Sequence, residues 1–62
     1  MPITSEARRL VERYATPAVQ ATDAPLWAAA QELKAVLDDH TAPRREDRIY
    51  RLVTRIQNHT RR

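Results

Sequence analysis

Arg44, Arg48, Arg51, Arg55 and Arg62 recur at intervals of four, three, four and seven residues in the last third of the chain. On a helix turning about 100° per residue, that spacing gathers five guanidinium groups within about 60° of one another. A cationic stripe of this kind offers phosphate contacts along a polyanion backbone, and arginine adds bidentate pairing with phosphate, carboxylate or a guanine edge. The pattern therefore points to nucleic acid first, to an acidic protein surface second, and to a merely solvated helix face third. An imbalance of charge supports the same ranking. Residues 1–42 hold four basic side chains against six acidic ones, whereas residues 43–62 hold seven arginines against Glu46 and Asp47. Binding to a polyanion is the natural use of such asymmetry.

Other chemistry finds little support. The chain has no cysteine and no glycine, which excludes thiol nucleophiles, cysteinyl zinc sites and phosphate loops built on glycine. Ser5 is the sole serine, and His40 and His59 stand in no ligand spacing, so neither a catalytic site nor a metal or cofactor is expected. An enzyme with a small-molecule substrate is not expected from 62 residues that can scarcely enclose a pocket. The opening Met1-Pro2-Ile3-Thr4-Ser5-Glu6 lacks the basic-then-apolar pattern of a signal peptide, and no apolar run approaches the ~20 residues that cross a bilayer. These features predict a cytoplasmic protein.

The elements that must carry the stripe are marked by four prolines. A first helix is predicted from a Thr4 or Ser5 cap to about Ala15, with Ile3, Ala7, Leu10, Val11, Tyr14 and Ala18 on one face. Thr16, placed before Pro17, is pushed out of helical angles, and residues 16–22 read as a connector. Asp23-Ala24-Pro25 opens a second helix whose seam is Leu26, Ala29, Ala30, Leu33, Val36, Leu37 and His40. A third helix is predicted from Thr41-Ala42-Pro43 to about Thr60, burying Ile49, Leu52, Val53 and Ile56 roughly 120° from the arginines. The expected fold is all-α, one domain over residues 1–62: a small three-helix bundle with a short first helix and an antiparallel hairpin of the second and third. A core this small and this rich in alanine also suggests a homodimer.

Five residues carry readings of their own. Arg44 and Arg45 fall in the predicted first turn of the third helix, against its dipole, and pairing with Asp38 and Asp39 is expected for Arg45. Trp27 lies about 120° off the second helix's seam, where it is either covered by the 16–22 connector or anchors a partner. Tyr14 and Tyr50 read as core-edge residues with wet hydroxyls first and as base-stacking platforms second, since no RNA-binding motif surrounds either one. A chain with a basic third helix resembles small helix-turn-helix DNA-binding proteins, although its ~15-residue second helix is long for that motif and its turn has no glycine. The expected function is a small regulatory or accessory protein that puts Arg44, Arg48, Arg51 and Arg55 on nucleic acid. The alternative is an inhibitor, adaptor or antitoxin-like module presenting Trp27 and the stripe to an acidic protein.

Overall fold

The computed structural model describes residues 3–61, which form four helices: α1 (Ile3–Tyr14), α2 (Pro17–Thr22), α3 (Ala24–Asp38) and α4 (Arg45–Thr60). No strand occurs among the described residues. Both ends of α1 suit its dipole, with Glu6 in the first turn and Arg13 in the last. It begins at Ile3, so Thr4 and Ser5 lie inside the first turn and neither is its cap.

The segment 16–22 is a correction to the expected connector. Thr16 is extended, with φ −124° and ψ 156°, as a residue before proline must be. Its hydroxyl then accepts from the Val19 amide at 3.3 Å, and Pro17 occupies the start of α2 where no amide donor is required. The proline that ends α1 thus begins another helix. α2 stops at Asp23, whose amide donates to the Val19 carbonyl at 2.7 Å while its carboxylate accepts from Leu26 at 3.3 Å. One residue closes α2 and caps α3.

The interior is aliphatic. Ala7 and Leu10 of α1, Leu26, Ala29, Leu33, Val36 and Leu37 of α3, and Ile49, Leu52, Val53 and Ile56 of α4 form one buried cluster. Leu33, Ile49 and Ile56 are the largest side chains sealed from solvent. Ile3, Val11, Tyr14 and Val19 close its edges, so α2 contributes through one side chain. His40, expected to continue the α3 seam, lies beyond the helix end and is exposed. The Cα radius of gyration is 11.0 Å, close to the roughly 10.5 Å expected for a compact 62-residue body.

Polar contacts tie α3 and α4 at both ends and fix them antiparallel. At one end the His59 Nε2 lies 2.8 Å from the Asp23 carboxylate. At the other, Arg45 reaches back across the turn and donates from Nε to the Val36 carbonyl at 3.3 Å and from a terminal nitrogen to the Leu37 carbonyl at 3.0 Å. The expected pairing of Arg45 with Asp38 or Asp39 is therefore replaced by bonds to carbonyls at the negative end of the α3 dipole, where a cation is favoured. No helix among the described residues is long and apolar enough to cross a membrane.

Candidate functional site

The turn that launches α4 decides where its cations point. Asp39 organises it: its carboxylate accepts from the Thr41 amide at 3.1 Å and the Thr41 hydroxyl at 2.8 Å, and its carbonyl accepts from Ala42 at 3.3 Å. The two Thr41 bonds hold the Asp39 carboxyl below its ordinary pKa of 3.8, the hydroxyl contributing most. The chain must then reverse into α4 without a glycine, and Arg44 takes the left-handed conformation, φ 53° and ψ 38°. That geometry ends the expected start of the helix at Pro43: Arg44 is the residue before α4, and its carbonyl accepts the first helical bond from Arg48 at 3.0 Å. An arginine here costs about 1 kcal/mol relative to a residue without a Cβ.

Although it leaves the helix, Arg44 remains with the other cations, lining one surface depression together with Pro43, Asp47, Arg48 and Arg51. Arg48, Arg51 and Arg55 line a second, whose other walls are Glu32, Val36 and Leu52. The four arginines are exposed, and α4 runs unbroken beneath three of them. Acidic groups are neighbours: Asp47 shares the first depression, Glu32 the second, and Asp39 lies with Arg48 in a third. None closes on a guanidinium, since the one side-chain ion pair among the described residues joins His59 to Asp23. The ridge thus keeps its charge available to an outside anion. Arg62, the last member of the predicted stripe, lies outside the described residues.

Trp27 is not part of this ridge. It is half-buried on α3, about 140° around the helix from Glu32, which faces the arginines. Tyr14 sits at the core edge as expected, but Tyr50 does not: at 56% exposure it is the large hydrophobic side chain that the described fold leaves open. Its ring lies beyond the buried stripe of α4, and it lines a depression with Arg51, Thr54, Arg55 and Asn58.

Asp23 serves three elements at once. It caps α3, closes α2 and receives His59, and the bond to His59 is the main reason its carboxyl is held below 3.8. Both residues are partly exposed, at 41% and 37% of their side-chain surface, so the contact orients two helix ends and is not a sealed charge pair. Among the described residues no group of three or more histidine, aspartate or glutamate side chains could hold a metal ion. No family model, no curated protein and no solved structure matches the chain.

Proposed function

We propose that this chain is a small, non-enzymatic regulatory or accessory protein that binds nucleic acid through Arg44, Arg48, Arg51 and Arg55. The observation that carries the reading is the ridge itself: the exposed guanidinium groups of Arg48, Arg51 and Arg55 about one helical turn apart on α4, with Arg44 at its entry, none of them paired with a carboxylate among the described residues. Counterion release from a polyanion rewards such an arrangement, and the sequence specificity it supplies is small because phosphate contacts position without reading bases.

A cytoplasmic homodimer completes the proposal. Its support is the size of the interior, a single cluster of aliphatic side chains in a 62-residue chain, which a second copy would reinforce. Light scattering across a concentration series, with the melting temperature read in parallel, checks that part.

Fluorescence anisotropy with labelled oligonucleotides tests the binding. The wild-type protein is expected to bind, and the double variant Arg48→Glu, Arg51→Glu to bind at least tenfold more weakly at equal salt. Unchanged binding in that variant would refute the proposal. A protein that ignores nucleic acid but retains a strongly acidic polypeptide, with the same loss on substitution, would transfer the ridge to an acidic protein partner.

A further inference from the structure

A lone exposed aromatic on a protein surface is ordinary and carries no message. Tyr50 differs because of its company: the depression it lines contains two cations, a hydroxyl and an amide, and no carboxylate. After Asp47 the chain has no acidic residue at all. The outer side of α4 therefore carries a π face, Arg51 and Arg55, and the hydrogen-bonding side chains of Thr54 and Asn58 on one surface.

From this arrangement we infer that α4 takes single-stranded nucleic acid, with an unpaired base stacked on the Tyr50 ring and the neighbouring phosphates held by Arg51 and Arg55. The inference rests on the nucleic-acid reading above and narrows it to unpaired strands. One physical point separates these from a duplex. In a duplex each base face is already covered by its neighbours, so a surface tyrosine gains nothing, whereas stacking on an aromatic is a main source of affinity for single strands.

The test compares three probes on the whole protein: oligo-dT of roughly 15 nucleotides, a duplex of similar length, and heparin as a polyanion without bases. Tyr50→Ala is expected to weaken oligo-dT binding about tenfold, the loss of one stacked base, and to leave heparin binding within about twofold. Tyr50→Trp should retain wild-type affinity for oligo-dT. Because Tyr50 is exposed, its truncation opens no cavity, and an unchanged circular dichroism melt verifies this. The inference is overturned if Tyr50→Ala binds oligo-dT as wild type does, if it loses heparin equally, or if wild type prefers the duplex. Arg51→Glu with Arg55→Glu separates the two levels of the account. If that pair abolishes oligo-dT binding while Tyr50→Ala does not affect it, stacking is wrong and the nucleic-acid reading stands. If neither affects it, both fall.

Discussion

Replacing Arg48 and Arg51 by glutamine removes two charges from the ridge without reversing either, which makes the number of phosphate contacts measurable. Four arginines engaged on a single strand give log Kd a dependence on log salt of about 0.7 per contact, a slope of about 2.8 in magnitude. Affinity should then fall about fiftyfold between 50 and 200 mM salt, steep enough to follow by anisotropy. With two contacts removed the slope drops to about 1.4 and the same salt change costs only about sevenfold. Both side chains are exposed and unpaired, so stability should change by no more than about 0.5 kcal/mol, as read from a urea titration. A wild-type slope near zero, or a slope that the substitutions leave unaltered, would mean that the ridge does not meet phosphate and that the reasoning from charge placement is wrong.

Other consequences concern the frame that holds the ridge. Leu33→Ala, at a site with no solvent contact, is expected to cost about 2–5 kcal/mol, which for a chain of this size leaves little or no folded protein at 37 °C; a loss below about 1 kcal/mol in urea unfolding would contradict the packing described. Arg45→Met removes the donors from the Val36 and Leu37 carbonyls and should destabilise by roughly 1 kcal/mol while leaving oligonucleotide affinity intact, as it is the arginine committed to structure. Arg44→Gly should act in the opposite sense, holding or raising the melting temperature by relieving the left-handed arginine and weakening binding by one phosphate contact. The carboxyls of Asp23 and Asp39 both sit below their ordinary value of 3.8 in the folded chain, so their contribution to stability is complete above that value and is lost as pH falls through the lower folded-state values. Melts recorded between pH 7 and pH 2.5 should show a steeper acid loss in wild type than in the double variant Asp23→Asn, Asp39→Asn.

The long elements were legible because two signals coincide in them. In α3, Asp23 and Pro25 mark the start while Leu26 to Leu37 keep helical spacing, and in α4 the Ile49 to Ile56 stripe does the same. α2 is harder to read because a proline just after α1 signals a stop, although Thr16-Pro17 is the same cap-then-proline signal as Asp23-Ala24-Pro25, shortened by one residue. The left-handed residue before α4 had no signature, since glycine and asparagine ordinarily mark such positions and the turn has neither. For Arg45, charge pairing suggested acids, whereas the geometry of a tight antiparallel turn brings carbonyls nearer. The His59–Asp23 contact spans 36 residues and depends on the register of α3 against α4, which periodicity within each helix does not contain. Tyr50 sat one position from Ile49, and on a helix that single step of about 100° separates a sealed side chain from an exposed one.

Backbone amide chemical-shift mapping bears most directly on the claim that the outer face of α4 is the contact surface. With 15N-labelled protein titrated with oligo-dT at low salt, the largest shifts are predicted at Arg44, Arg48, Tyr50, Arg51 and Arg55, with α1 and the Trp27 indole unmoved. Shifts centred on α1 or on Trp27, with residues 44–58 silent, would contradict the account.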